Sequence, residues 1–162
     1  MKGLIMIGYQ GIGKSTLGGK HGCVDLESGN FWIGDRRDSE WYIPYCNIAM
    51  HLANQGYTVF TSSHKKVVEY FSRMPLLPNV GKVVIFCPRL SMKKQWITKL
   101  KDRYDSTHLE KDYKAWMNAK DKYEENITDL YSSGLPVYFP HDESYELIYY
   151  VFNARYDWCK ER

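Results

Sequence analysis

The chain alternates short apolar runs with longer stretches in which apolar residues recur at helical spacing. Intervals of helical length separate most of the apolar runs. Strands that alternate with helices predict an α/β domain in which helices cover both faces of a parallel sheet, giving three layers. The expected strands lie at residues 4–7, 23–26, 57–61, 83–87 and 136–139.

Four of the longer stretches have the spacing of amphipathic helices. The last of them is expected to begin near Ser144, with Asp142, Glu143 or Ser144 at its amino terminus, and to run past Phe152. The other three lie at residues 44–56, 65–73 and 109–131.

The segment after the first apolar run, GYQGIGKST at residues 8–16, matches the pattern G-x-x-x-x-G-K-[ST] at every fixed position. Its glycines, Gly8, Gly11 and Gly13, allow a tight turn whose N–H groups, including that of Ile12, point inward and cradle phosphates. The run before it reads as a buried strand, and a helix can start after it, although Gly18 and Gly19 shorten that helix. We call residues 8–16 the phosphate loop.

The polar side chains of the phosphate loop complete the expected chemistry. The Lys14 ammonium is expected to reach the β- and γ-phosphates of a nucleotide, and the Ser15 hydroxyl to ligate the bridging Mg²⁺. Thr16 extends the polar edge. The motif therefore predicts binding of ATP and Mg²⁺.

Length and composition predict the number of domains and the cellular compartment. With 162 residues, 44% hydrophobic and 25% charged, the chain is expected to form one soluble domain over residues 1–162. No apolar run approaches 18 residues, so neither export nor a membrane partner is expected. The widely spaced cysteines are interpreted as reduced buried thiols, which favours the cytoplasm. These cysteines are Cys23, Cys46, Cys87 and Cys159.

Asp25 ends the second expected strand, at the edge of the sheet where the phosphate loop lies. A carboxylate there could hold Mg²⁺ through water, or orient and deprotonate an acceptor hydroxyl. A solvated loop aspartate or a helix cap is the alternative. Glu27 is a weaker candidate for the same roles.

Residues 27–41, which we call the insert, combine turn-forming residues with adjacent aromatics and adjacent arginines. Arg36 or Arg37 could grip an anionic group of a substrate, and Phe31 with Trp32 could flank a ring. A solvated arginine pair beside Asp35 and Asp38 is the alternative.

The third expected strand ends in FTSSH and lacks the terminal aspartate of a standard Walker B strand. Ser62 and Ser63 could contact substrate or the water of Mg²⁺. We expect Ser63 to cap the following helix, while His64 could cap it or touch an anion.

The positive charge of the chain, +3 in total, is concentrated in a segment at residues 89–112. If it is helical, Lys99 and Arg103 share a face, and such a face could close over a nucleotide as a lid does. An ordinary solvated helix face is the alternative. The basic residues are Arg89, Lys93, Lys94, Lys99, Lys101 and Arg103.

With these features assembled, the chain resembles the P-loop nucleoside monophosphate kinase-like superfamily, the adenylate kinase and shikimate kinase group. The phosphate loop carries the resemblance, together with WITKLKDR at residues 96–103, where Lys99 replaces the first arginine of the lid-entry pattern and Leu100 and Arg103 are retained. The resemblance implies a five-stranded sheet of order 2-3-1-4-5, ATP in the loop, an acceptor near residues 25–37 and closure by the lid segment.

The leading hypothesis is an ATP- and Mg²⁺-dependent small-molecule kinase, a monomer or homodimer, that phosphorylates a nucleoside monophosphate or a related nucleotide. In this hypothesis Lys14, Asp25, Lys99 and Arg103 are catalytic. Two alternatives are a nucleotide-binding regulatory or interaction module without efficient transfer, and a kinase acting on the 5′ hydroxyl of a nucleic acid.

Overall fold

The computed structural model describes residues 2–34, 36–142 and 144–160, with the backbone alone at 157–160. Strands and helices alternate along the chain, as the apolar pattern predicts. Two short 3-10 turns, at Ser28–Phe31 and Leu90–Met92, lie in the connections. The strands are β1 Gly3–Gly8, β2 Cys23–Asp25, β3 Thr58–Ser62, β4 Val80–Phe86 and β5 Val137–Tyr138. The helices are α1 Lys14–Leu17, α2 Tyr42–Asn54, α3 Lys65–Arg73, α4 Lys93–Thr107, α5 Glu110–Tyr131 and α6 Leu147–Lys160.

The five strands form one parallel sheet of order β2-β3-β1-β4-β5. β1 lies at its centre, where Ile5 pairs with Val59 of β3 on one side and with Val83 of β4 on the other. Each parallel pairing requires a crossover connection, and the intervening helices supply it. The α/β class, the parallel sheet and its strand order are therefore confirmed.

Burial of the central strand explains why the helices lie on both faces of the sheet. All six residues of β1 are buried, and successive side chains of a strand point to opposite faces. Both faces must therefore be covered. Helix α2 packs against β1 and β3, and α6 packs against β4.

Helix α1 has a single turn, because Gly18 and Gly19 follow Leu17. Gly18 leaves the helical range with ψ 127°, and Gly19 has φ +81°. A Cβ atom on Gly18 would lie 3.1 Å from the Cβ atom of Asp25. The close approach of the chain to β2 thus favours glycine and keeps the helix short.

Two expectations about helix starts are wrong. His64, and not Ser63, caps α3: its Nδ1 accepts a hydrogen bond of 3.2 Å from the Lys66 backbone N–H. The last helix begins at Leu147 and not near Ser144, because the Asp142 carboxylate instead accepts hydrogen bonds from Ser144 in a preceding turn. Glu143, the other suggested cap, lies outside the described residues.

Helices α4 and α5 form an antiparallel hairpin between β4 and β5. His108, with φ +54°, ends α4 in the left-handed conformation, and Glu110 begins α5 two residues later. Lys122 has φ −133° and ψ 18°, outside the helical range, so α5 is interrupted there. The expected helix at residues 109–131 is thus present as two helical pieces.

Three cysteines, Cys23, Cys46 and Cys87, are buried free thiols, as expected. The side chain of Cys159 lies outside the described part of the chain. None of the helices in the described ranges has the length and apolar character needed to cross a membrane.

Candidate functional site

The phosphate loop leaves β1 at Gly8 and reaches α1 at Lys14. Gly11 and Gly13 have φ values of +82° and +108°, in the region that favours glycine. A Cβ atom on Gly8 would lie 2.4 Å from Cδ1 of Ile12. The positive φ values therefore favour glycine at Gly11 and Gly13, and a side chain at position 8 would have to displace that of Ile12.

The backbone N–H groups of residues 11–15 form no hydrogen bond with any residue that the structure describes. Unpaired backbone donors normally find a partner in a folded protein. Because these five donors belong to one tight loop, they suit an anionic ligand.

The Lys14 side chain turns back into the phosphate loop. Its Nζ donates to the carbonyl oxygens of Gly8, at 2.9 Å, and of Thr61 in β3, at 3.4 Å. Burial lowers the pKa of Lys14, while the negative charges of Asp25 and Glu27 oppose that shift. The ammonium is thus held between β1 and β3, close to two carboxylates.

Asp25 and Glu27 lie together at the carboxyl end of β2. The pKa of Asp25 is raised, first by burial and then by the neighbouring carboxylate of Glu27, while Lys14 opposes the shift. Lys111, at the start of α5, also opposes it. The structure therefore brings Glu27 beside Asp25.

A Mg²⁺ ion at this edge would need ligands beyond the protein. Ser15 and Thr16 are exposed at the start of α1, and Ser15 with Asp25 offers oxygen ligands of the kind Mg²⁺ prefers. No group of three or more His, Cys, Asp or Glu residues suited to a metal occurs in the described ranges. Mg²⁺ commonly keeps several waters and binds through one or two carboxylates and the phosphates of a nucleotide. The residues present fit that mode.

A cleft of about 570 Å³ opens between the phosphate loop, α4 and the start of α6. Lys99 and Arg103 line it from α4, as their shared helical face predicts, and Ser15 and Thr16 line it from the loop. Two cations and the polar end of the loop therefore face one cavity.

A buried carboxylate holds Arg103 in place. Nε of Arg103 lies 3.0 Å from Oδ1 of Asp112, whose side chain is 4% exposed while that of Arg103 is 41% exposed. The Thr107 hydroxyl donates to the other oxygen of Asp112. Arg103 thus has a fixed anchor and still reaches the cleft. Asp112 was not selected from the sequence, because a carboxylate at a charged helix position gives no local sign of burial.

Two aromatic side chains support the phosphate loop from outside. Trp96 donates from Nε1 to the Gln10 carbonyl oxygen at 2.7 Å, and the Tyr145 hydroxyl donates to that of Ile12 at 2.7 Å. Their rings stack with centroids 6.2 Å apart, and Lys99 Nζ lies 4.4 Å from the Trp96 centroid. These contacts fix the carbonyl oxygens of Gln10 and Ile12 and thereby the path of the loop. The sequence places Trp96 next to the charged residues but carries no sign of these bonds.

The other basic residues of α4 serve different partners. Lys93 Nζ lies 3.1 Å from Glu124 Oε1 on α5, and Lys101 Nζ lies 2.7 Å from Asp105 Oδ2. The basic segment therefore divides into a pair that faces the cleft and residues that form surface ion pairs.

The insert uses its aromatic residues mainly for packing. Phe31 meets Tyr45 edge to face, with centroids 5.3 Å apart, and also contacts Trp41. The Arg37 guanidinium lies 3.7 Å from the Trp41 ring centroid and 5.0 Å from that of Trp32. Burial lowers the pKa of Arg37. Phe31 and Arg37 are thus engaged within the protein.

Arg36 is the exposed arginine of the pair. Its backbone pairs with that of Ile33 in an isolated antiparallel bridge, and its side chain lines a shallow depression of about 500 Å³ with Arg37 and Lys66. Asp35, named beside the arginines above, lies outside the described residues. The depression carries several cations, although Asp38 also borders it.

Tyr45 joins the insert to the ends of the strands. Its hydroxyl donates to the Leu26 carbonyl oxygen at 2.6 Å and accepts from the Ser62 backbone N–H at 2.8 Å. Ser62 in turn accepts a hydrogen bond from the His64 N–H through its hydroxyl. The fully buried Tyr45 thereby fixes the edge of the sheet where Asp25 and the phosphate loop meet.

No family model, curated protein or solved structure matches this chain. Its class is therefore defined by its own fold. It is an α/β protein with a five-stranded parallel sheet of order 2-3-1-4-5, consistent with a P-loop or Rossmann-like fold.

Proposed function

We propose that this chain is an ATP- and Mg²⁺-dependent phosphotransferase of the P-loop nucleoside monophosphate kinase-like type, and that it transfers the γ-phosphate to a nucleoside monophosphate or a related nucleotide. The proposal rests on the phosphate-loop motif, on the strand order and on the side chains around the loop.

One observation carries the proposal: five backbone donors with no partner among the described residues lie in one loop with the Lys14 ammonium, beside a cleft lined by Lys99 and Arg103. Transfer of a phosphoryl group depends mainly on positioning and on neutralising the charge of the phosphate oxygens. This arrangement offers both. The donor triphosphate would occupy the loop and the cleft.

Each residue then has a role in the proposed reaction. Lys14 and the loop amides bind the phosphates, and Ser15 holds Mg²⁺. When bound, Mg²⁺ offsets charge on the phosphate oxygens.

On the acceptor side, Asp25 orients the acceptor or a metal-bound water. Arg103 lines the cleft beside the phosphate loop, so its guanidinium would face the γ-phosphate of a bound donor. Arg36 supplies an exposed cation for the acceptor.

The test is an assay of ADP formation from ATP over a panel of nucleoside monophosphates, nucleosides and small hydroxy acids, with and without Mg²⁺. We expect ADP formation that depends on one nucleoside monophosphate and on Mg²⁺, and stops when EDTA removes the metal. ATP binding with no acceptor-dependent ADP formation across the panel would contradict the proposal.

A binding module without efficient transfer is the second candidate. The observation in its favour is the end of β3, where Ser62 and Ser63 stand in place of a metal-binding aspartate. Stabilisation by ATP in a thermal-shift measurement, with no turnover of any acceptor, would favour this candidate.

A nucleic-acid acceptor is less favoured, because ion pairs with Glu124 and Asp105 use two of the exposed lysines of α4, Lys93 and Lys101. Binding to single strands that weakens steeply with salt would reverse that order.

A further inference from the structure

A second polar cavity, of about 690 Å³, begins at the phosphate loop on a different side from the cleft of Lys99 and Arg103. It lies between the end of β3, the start of α3 and the second half of α5. Gln10 of the phosphate loop lines it, and so does Ser62. The cavity therefore adjoins the point where a transferred phosphate would lie.

A chain of three carboxamides lines this cavity. Oδ1 of Asn118 accepts two hydrogen bonds, from Nε2 of Gln10 and from Nδ2 of Asn126, both at 2.9 Å. The Nδ2 group of Asn118 and the Oε1 and Oδ1 atoms of Gln10 and Asn126 have no bonded partner among the described residues. The three carboxamides can therefore offer a ligand the Nδ2 donor group of Asn118 and the acceptor oxygens of Gln10 and Asn126.

The break in α5 creates this arrangement. Residues eight positions apart are separated by about 12 Å along an uninterrupted helix, yet the side chains of Asn118 and Asn126 share a hydrogen bond. The interruption at Lys122, which also lines the cavity, brings them together. An irregularity in the middle of a helix, at a position without proline, often marks a functional site or a strained segment.

The charges around the cavity are slightly negative in sum, and this disfavours an anionic ligand. Two lysines, Lys65 and Lys122, face three carboxylates, with His64 at the border; the carboxylates are those of Glu69, Glu125 and Asp129. The pKa of His64 is lowered, first by burial and then by Arg37 and Lys66. A slightly acidic wall rich in carboxamides and hydroxyls suits an uncharged ligand with both donors and acceptors. Carboxamides pair well with the edges of nucleobases.

We propose that this cavity binds the uncharged nucleoside part of the acceptor, with Gln10, Asn118 and Asn126 contacting its base. The proposal rests on the proposed function and adds to it the place and the chemistry of acceptor recognition. Its cavity volume lies within the range of small-molecule sites. The exposed Arg36 lies near His64, which lines both this cavity and the cationic depression.

The test is calorimetric titration with adenosine, guanosine, cytidine and thymidine, without ATP or Mg²⁺, and with myo-inositol as an uncharged polyol. We expect one nucleoside to bind, and Asn118→Ala to weaken that binding at least about tenfold. Gln10→Ala and Asn118→Asp, which change fewer contacts, should weaken it by about threefold to tenfold. The matched control is Gln55→Ala, which removes an exposed carboxamide just after the end of α2, outside the cavity lining. This variant should bind the nucleoside as the native chain does.

The outcomes separate this inference from the proposed kinase function. Lys14→Ala should retain nucleoside binding, since Lys14 does not line the cavity. Nucleoside binding that fails in Asn118→Ala but persists in Lys14→Ala supports the inference even if no transfer is found. Absence of nucleoside binding, tighter binding of the polyol, or equal binding by the native chain and folded Gln10→Ala and Asn118→Asp variants would overturn it. Thermal melting shows whether each variant is folded.

Discussion

The phosphate loop and the insert are both rich in turn-forming and charged residues, but the structure uses them differently. In the phosphate loop the backbone N–H groups of residues 11–15 form no hydrogen bond within the described part of the chain, and Lys14 is held beside them. In the insert Phe31 and Arg37 are packed against Trp41. The glycines of the phosphate loop hold a backbone path that leaves N–H groups available, whereas the aromatic residues of the insert use its side chains in packing.

Replacement of Lys14 is expected to have the largest effect. Lys14→Ala should lower the rate of ADP formation by about a hundredfold to a thousandfold, the scale of removing one preorganised charge donor. Its thermal midpoint should change little, because burial already disfavours the charged form of Lys14. Lys20→Ala, at an exposed lysine just beyond α1, is the control. Normal turnover in Lys14→Ala would contradict a catalytic role of the phosphate loop.

Loss of the anchored cation of α4 should have the next largest effect. Arg103→Ala should lower kcat by about tenfold to a hundredfold, since one cation that offsets the negative charge of the γ-phosphate is lost. Asp112→Asn should lower it less, because Arg103 stays but loses its ion pair. The control is Lys93→Ala, which removes only a surface ion pair. Equal kinetics for Arg103→Ala and Lys93→Ala would place Arg103 outside the reaction.

Substitutions in the insert should change the stability of the protein more than its ligand binding. Arg37→Ala should lower the free energy of unfolding by about 1 kcal/mol, as its guanidinium leaves the Trp41 and Trp32 rings. Arg36→Ala, at an exposed side chain, should change it by less than about 0.5 kcal/mol. Urea unfolding of both variants measures the difference. Equal destabilisation by the two changes would show that the stacking does not stabilise the insert.

Asp25, at the border of the two regions, should give the smallest effect and one that depends on pH. Its pKa is raised in the folded protein, so folding is disfavoured as pH rises through the carboxylate range. Asp25→Asn should therefore melt slightly higher than the native chain at pH 7. The difference should vanish below the ordinary carboxyl pKa of about 3.9, where both side chains are neutral. Melting curves from pH 3 to 7 test this, with Glu27→Gln expected to reduce the difference. A lower melting temperature of Asp25→Asn at pH 7 would contradict the raised pKa.

The predictable parts of this molecule are those with a local physical cause. The strands and α3 follow from apolar runs and helical spacing, and the single turn of α1 follows from Gly18 and Gly19. The sequence does not predict the start of α6 correctly, because the Asp142 carboxylate accepts a hydrogen bond from the Ser144 N–H in a turn. The same residues are equally compatible with a helix cap. The cap of α3 is ambiguous for a similar reason, because the side chains of both Ser63 and His64 can accept a hydrogen bond from the first N–H groups of a helix.

The alternation of strands and helices and the glycine-dependent path of the phosphate loop can be predicted without the structure, because both depend on residues adjacent along the chain. The tertiary structure decided which side chains meet: Arg103 with Asp112, Trp96 and Tyr145 with the loop carbonyls, and Gln10 with Asn118. Those pairs join elements far apart in sequence. Their energies depend on burial and on orientation across the fold, and no local pattern encodes either.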